Sequence, residues 1–424
     1  MGSKRPLLAI LGALTFGLTV ACGSATPTGT PVPTAAATST PDPGAPATTD
    51  QTPDSPAPAK VEPDPDFLEA LAEAGFSTFG WETDFSLHTI DYTEVFSGGV
   101  GRDGIPPIDN PMFESVAAAN EWLAPLEPVI ALEVDGVAKA YPLQILTRHE
   151  IVNDEIGGIP VTVTFCPLCN SAIVFDRRLN GVVYDFGVSG NLRNSDLIMW
   201  DRQTQSWWQQ LTGEGIVGTL AGEQLTFIPA QLVAWETYAE AYPGSEVLSR
   251  DTGFRIRYGT NPYVGYDRVD QRGFLFFGEA DDRLQPKERV AAVSIGEANV
   301  AFPFQILAEE RVVNTNVGGQ DIAVFYEPGA LSALDASVIA EARSVGATGV
   351  FDPVVDGTKL TFAFAPDRGS IVDEETGSTW SILGEAVGGP LEGTELGRIV
   401  HQDHFWFAWA AFHPDTIVYR GAGV

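Results

Sequence analysis

The cysteine pair Cys166-Pro167-Leu168-Cys169 is the part of this chain most able to do chemistry. Two thiols at that spacing can ligate one metal ion, cycle with a disulfide, or supply a nucleophile, and their surroundings decide which. Five histidines accompany them, and three bear on the pair. His149 lies 17 residues before Cys166, on the segment leading into the dithiol, while His401 and His404 lie near the C-terminus in Arg-Ile-Val-His-Gln-Asp-His. His401 and His404 are spaced i, i+3, which would place both on one face of a helix.

The residues around the pair argue against a thioredoxin-type dithiol, in which the first cysteine opens a helix whose N-terminus lowers its pKa. Residues 171–176, Ser-Ala-Ile-Val-Phe-Asp, carry the β-branched and aromatic content of a strand, as do residues 161–165 on the other side. Strand, Cys-Pro-Leu-Cys-Asn, strand describes a hairpin tip. It is similar to the metal knuckle of rubredoxins and zinc ribbons, where two sulfurs turn toward one ion. Asn170 stands where such knuckles carry Gly, and Asn is the next best residue at a left-handed position. The chain has no second knuckle, so a metal would need His, Asp, Glu, substrate or water to complete its shell.

An internal duplication isolates these residues. The segment ending at Ala172 registers without a gap on the segment ending at Ala333, at an offset of 161. Tyr141-Pro142 falls on Phe302-Pro303, Val152-Asn153 on Val313-Asn314, and Gly157-Gly158 on Gly318-Gly319. Cys166, Cys169 and His149 fall on Glu327, Ala330 and Glu310, so all three are replaced together. A scaffold built once without thiols does not need them to fold, which points to function. Further on, Asp201 to Trp208 matches Asp373 to Trp380 at an offset of 172. The reading is two tandem pseudo-symmetric repeats at 129–250 and 290–424, about 120 to 130 residues each and too long for solenoid units. A lead-in covers 63–128 and a connector 251–289. Short alternating Val/Ile/Phe/Tyr runs punctuated by Gly, Asn and Asp make the fold class α+β and β-rich. Helices are expected near 66–74, 114–124, 231–241, 329–342 and 404–412.

The ligand set that follows is Cys166 and Cys169 as thiolates with His149 and His401 as imidazoles, and softness favours copper or zinc. His404, Glu150, Ser189 and Asp196 are further candidates to line the site. Ser189 and Asp196 belong to a polar loop, Gly-Val-Ser-Gly-Asn-Leu-Arg-Asn-Ser-Asp, which also reads as a plain turn. Trp207, Trp208, Trp235, Trp380, Trp406 and Trp409 occupy matching places in both copies and read as core.

The remaining composition fixes the setting. A formal charge of -32 disfavours nucleic acid as a partner. Lys4 and Arg5 precede an apolar run, residues 7–20, too short for a confident membrane span. The run ends in Leu-Thr-Val-Ala-Cys-Gly, which resembles a bacterial lipobox with Cys22 as the lipidated residue. Residues 23–62 are mostly Thr, Pro, Ala, Ser and Asp, with almost nothing apolar and large, and read as a disordered tether with a reach of up to ~100 Å. These features place the protein outside the cytoplasm, lipid-anchored to the cell envelope or, alternatively, secreted.

The runs YPLQIL, HEIVND, GGIPVTVTFCPLCNSAIVFDR and GVSGNLRNSDLIMWDRQTQSWW, with FWFAWAAFHPDT in the second copy, resemble the bacterial and archaeal family catalogued as domain of unknown function 3179. The similarity covers most of residues 90–420. It implies an exported protein with a cysteine-pair motif and brings no established activity. Members usually carry Gly after the second cysteine, where this chain has Asn170. Three functions remain open: an envelope metal-binding protein, a thiol–disulfide redox protein or cysteine nucleophile assisted by His149, and a surface binding module stiffened by a Cys166–Cys169 disulfide.

Overall fold

The computed structural model describes residues 61–421. The expected signal segment, Cys22 and all but the last two residues of the expected tether lie outside the described residues. Short strands dominate, in line with a β-rich α+β fold. Three sheets built mainly from residues 95–248 carry the dithiol half. One runs 226–228, 171–176, 159–166, 151–156; a second runs 230–234, 128–134, 137–142, 246–248, 113–115; the third runs 95–97, 186–193, 196–201, 207–209, 215–217.

The same order of elements returns in the second half. The strands Pro128–Val134 and Val137–Pro142, the helix Leu143–His149, and the strands Ile151–Ile156 and Ile159–Cys166 have counterparts Arg289–Ile295, Ala298–Pro303, Phe304–Glu310, Val312–Val317 and Gln320–Glu327, all shifted by 161. The sheets of the second half keep the same neighbours: 402–405 beside 289–295, and 312–317, 320–327, 347–352 in sequence. Contact between the halves is reciprocal. The strand Ala230–Ala234 touches Ala347–Asp352, and the strand Gln402–Phe405 touches Ser171–Asp176.

Two local devices repeat and explain the motifs that carried the match. In the turn after Asp196–Asp201, the Asp201 carboxylate accepts bonds from the Thr204 amide at 2.6 Å and the Trp208 indole at 2.9 Å. Asp373 does the same for Thr376 and Trp380, at 2.5 and 3.0 Å. Each buried indole N–H thereby gains the partner it needs. Gly157 and Gly318 turn their hairpins at φ 57, and a Cβ at Gly157 would sit 2.8 Å from the Val134 carbonyl oxygen. Trp207, Trp208, Trp235, Trp380, Trp406 and Trp409 are all buried as core.

The helices differ from expectation in places. Phe67–Ala72, Val116–Ala119, Trp235–Ala241 and Trp406–Phe412 fall inside expected stretches. Residues 329–342 do not form a helix; one 3-10 turn, Ile339–Glu341, is all that is found there. Its backbone bonds run to other segments instead: the Leu331 amide donates to Leu126 and the Asn261 amide donates to the Ser337 carbonyl. Tertiary partners thus override a helix-favouring composition. Leu143–His149 and Phe304–Glu310 are helices not foreseen. At seven residues each they show too little of the helical period to be read.

Candidate functional site

The dithiol sits at a hairpin tip. Ile159–Cys166 pairs antiparallel with Ser171–Asp176, and Cys166 is opposite Ser171. Within the tip the Cys169 amide donates to the Cys166 carbonyl at 3.3 Å, and Asn170 takes the left-handed conformation at φ 53. Gly would suit that backbone better, but Asn170 does something Gly cannot: its Oδ1 accepts from Arg289 at 3.3 Å. The tip is held from outside at two further points. The Phe405 amide donates to the Cys169 carbonyl at 2.9 Å, and the Tyr266 hydroxyl donates to the Leu168 carbonyl at 3.1 Å. The thiol-free half and the segment before it therefore grip the thiol-bearing turn.

Asp196 completes the cluster. It begins a strand after the tight turn Asn194-Ser195, whose two residues both have positive φ, 52 and 70. That is the handedness a two-residue hairpin turn requires. Cys166, Cys169 and Asp196 each offer a ligand atom, and the three atoms lie within 4.8 Å of one another. All three residues are buried, and both thiols are free, so the hairpin is not stiffened by a disulfide. Asp196 Oδ2 accepts from Gln209 Nε2 at 2.7 Å and from the Leu211 amide at 2.9 Å, while Oδ1 has no nitrogen or oxygen partner.

The electrostatics of this cluster are those of acids crowded out of water. Burial pushes the Asp196 carboxyl up to about 6 against the pull of Gln209 and Leu211. Burial raises both thiols, Cys169 furthest, with Asp196 adding repulsion in each case. The Leu197 amide acts the other way on Cys166, favouring its thiolate. Glu150 is the next acid. Burial, with a smaller contribution from Asp196, raises it to about 8, and its one side-chain bond is from the Tyr263 hydroxyl at 3.4 Å. Lys287, buried and lowered to about 8 by that burial, is a cation coupled to Cys169, and it donates to the Tyr266 carbonyl at 2.6 Å.

The expected imidazoles are placed elsewhere. Among the described residues, neither His149 nor His401 belongs to the cluster of metal-ligand type. His149 is fully buried with Nδ1 2.6 Å from the Pro106 carbonyl, to which it must donate, and Nε2 2.6 Å from the Tyr258 hydroxyl. Both nitrogens are occupied, and burial depresses its pKa. His401 Nδ1 lies 3.3 Å from the Ile399 carbonyl, beside the Asp403 carboxyl. His404 is in the strand Gln402–Phe405 rather than a helix, and in extended backbone residues three apart point to opposite sides. Its Nε2 pairs with Gln402 at 2.7 Å, its ring stacks on Trp409, and burial holds it neutral at about 3. Ser189 is spent on structure, donating to the Ile198 carbonyl at 2.5 Å and accepting from the Asn191 amide at 3.0 Å.

Tyr263, Tyr266 and Lys287 were not foreseen. All three come from the connector 251–289, and Lys287 aligns with Leu126 at the offset of 161. Beside the cluster, a cavity of about 350 Å³ is lined mainly by apolar atoms and reached by Glu150, Leu168, Leu197, Tyr263 and Tyr266. A larger groove of about 670 Å³ lies in the second half around Arg311, Glu327 and Trp380. Neither lining holds a cysteine or histidine, but only the smaller cavity includes Leu168 of the dithiol turn and Glu150, which is coupled to Asp196.

A family model described as "Protein of unknown function (DUF3179)" matches residues 102–416. The chain belongs to this family. No curated protein and no solved structure matches it. The matched span includes the dithiol hairpin, Asp196, Glu150 and both halves of the fold, so the site lies within the matched domain.

Proposed function

We propose that this protein binds a soft or borderline metal ion through the thiolates of Cys166 and Cys169, with the Asp196 carboxylate as third donor. The observation that carries the reading is a buried group of three acids within 4.8 Å, with a fourth, Glu150, coupled to it. Acids so placed repel one another and resist ionising. A divalent cation removes that repulsion and takes up the donors. Two sulfurs with one carboxylate oxygen suit zinc, which accepts both ligand types, better than copper(I), which selects sulfur alone. Three protein donors leave a tetrahedral ion one position for water or substrate, the pattern of a catalytic rather than a structural zinc site.

A redox dithiol is the second reading, and the free, neighbouring thiols favour it. Against it stands the upward shift of both thiols in acidic surroundings, since reactive cysteines sit in electropositive ones. Location supports either function. The basic start, the apolar run and Leu-Thr-Val-Ala-Cys22-Gly fit export and lipid anchoring, which would hold the domain at the outer face of a cell envelope.

Elemental analysis and thiol counting of anaerobically purified protein test the reading. Near-stoichiometric zinc or copper, lost in Cys166→Ser and in Cys169→Ser, is expected. A metal-free protein whose dithiol oxidises reversibly with a measurable potential would replace metal binding with redox.

A further inference from the structure

The cavity beside the cluster has a chemistry of its own. At about 350 Å³ it lies at the small end of the range for pockets that enclose a small molecule. Leu192, Leu197 and Leu168 make much of its wall, and Tyr263 and Tyr266 add two aromatic rings. Leu168 lies between the two cysteines and Leu197 directly follows Asp196, so the cavity wall is built from neighbours in the chain of the candidate metal ligands, while the ligands themselves do not line it. Val100 and Phe274, which line the cavity, are 39% and 48% exposed, so the way in is apolar too.

One carboxyl breaks this apolar surface. Glu150 follows the helix Leu143–His149 at φ 60, ψ −29, a backbone that costs a non-glycine residue on the order of 1–3 kcal/mol. Its side chain is buried, with the long 3.4 Å bond to Tyr263 as its side-chain partner. A carboxyl offers more bonding positions than that one contact uses. At the matching position the second half also has a left-handed cap, but the residue there is Arg311. The strained position is thus kept in both halves while its chemistry differs.

We propose that this cavity binds a neutral, chiefly apolar ring compound carrying one carbonyl or hydroxyl oxygen, which pairs with the Glu150 carboxyl while the rings lie between the leucines and tyrosines. It goes beyond the metal reading and stands on the cavity's own lining. Anionic amphiphiles are disfavoured, because the wall is chiefly apolar and its one carboxyl, Glu150, is itself an acid, so burying a negative charge there without a partner is costly. Cationic compounds are disfavoured by the apolar wall and mouth.

Titration with Prodan, a neutral naphthyl ketone, tests this, with the sulfonated naphthyl dye ANS as the anionic control. Saturable binding of one Prodan per chain is expected, with ANS weaker by about tenfold or more, a difference of about 1.4 kcal/mol. Ile105→Trp, which fills the cavity from its loop, should weaken Prodan by about tenfold. Glu150→Leu should weaken it ~3–10-fold and blue-shift the bound emission, as the loss of one hydrogen bond requires. Glu150→Gln, which keeps a donor, should restore both. Non-saturable binding, equal affinity for the two dyes, or indifference to both Ile105→Trp and Glu150→Leu would each overturn the proposal. The dye comparison needs no variant, so a poorly folding one does not decide the matter. Metal content is measured on the same samples: metal without Prodan binding sinks the cavity proposal alone, whereas Prodan binding without metal sinks the metal reading alone.

Discussion

Replacing Glu150 by Gln should make the metal-free protein more stable at high pH and leave it nearly unchanged at low pH. Glu150 has its carboxyl raised from 4.5 to about 8 by burial, with Asp196 adding repulsion. The folded state therefore holds this proton more tightly than the unfolded chain. The stabilisation is fully present below about pH 4.5 and is lost as pH rises toward 8, after which it is flat. A displacement of that size corresponds to roughly 5 kcal/mol across the window. Gln is close in shape to the protonated acid and has nothing to lose. The variant should match the wild type within ~1 kcal/mol at pH 5 and exceed it by several kcal/mol at pH 8.5. The repulsion from Asp196 is already contained in that displacement, so it is not counted again. Urea unfolding of chelator-treated protein at pH 5, 6.5 and 8.5 measures the difference, in which the many other carboxylates cancel. Parallel stability profiles for the two proteins would show that water reaches Glu150 freely and that the acids around the dithiol are not crowded as described.

Metal affinity should fall by about 100-fold for each pH unit below the thiol pKa values, because two thiol protons must leave for two thiolates to bind; competition with a chromophoric chelator at pH 6.5 and 7.5 reads the slope, and a flat one excludes ligation by both cysteines. Native metal-free protein should react slowly with iodoacetamide at pH 7, since both thiols are buried and shifted upward, and urea should accelerate the reaction; two thiols alkylated rapidly in the folded state would contradict this and favour the redox reading. His149→Ala should keep its metal yet lose roughly 2–4 kcal/mol of stability, as the Pro106 carbonyl and the Tyr258 hydroxyl each lose a buried partner; metal loss equal to that of Cys166→Ser would make His149 a ligand after all. Asp196→Asn can keep the bonds from Gln209 and Leu211, so it should fold normally and bind metal more weakly, and unchanged affinity would remove Asp196 from the ligand set.

What could be read in the sequence here was local, and what could not was the product of chain crossings. The hairpin around Cys166 and Cys169 followed from β-branched residues on both sides, and the left-handed Asn170 from the position it occupies in the turn. Asp196 was visible as a polar residue in a Gly/Asn loop, but its distance to two thiols some thirty residues away depends on how one sheet packs against another. The case for His149 came from a different signal. Its loss in the second half together with both cysteines suggested one functional unit, but co-loss does not distinguish a ligand from a residue that supports the same region. His149 does the latter: it ties the helix before Glu150 to Pro106 and to Tyr258, which in turn bonds Thr252 at 2.5 Å. The connector 251–289 was the largest omission. It has no strand alternation and no helical period, so it read as a link, yet it brings Tyr263 to Glu150, Tyr266 to the dithiol tip and Lys287 behind Cys169. Arg289, the last residue of the connector and the first of the strand Arg289–Ile295, adds the bond to Asn170. The thiol-free half of the fold thus supplies contacts that the thiol-bearing half cannot make for itself, from the Phe405 amide to the Arg289 guanidinium. A buried acidic turn held from both sides is rigid enough to keep three donors within reach of one ion, and that gives the second half a role in the site without a single cysteine of its own.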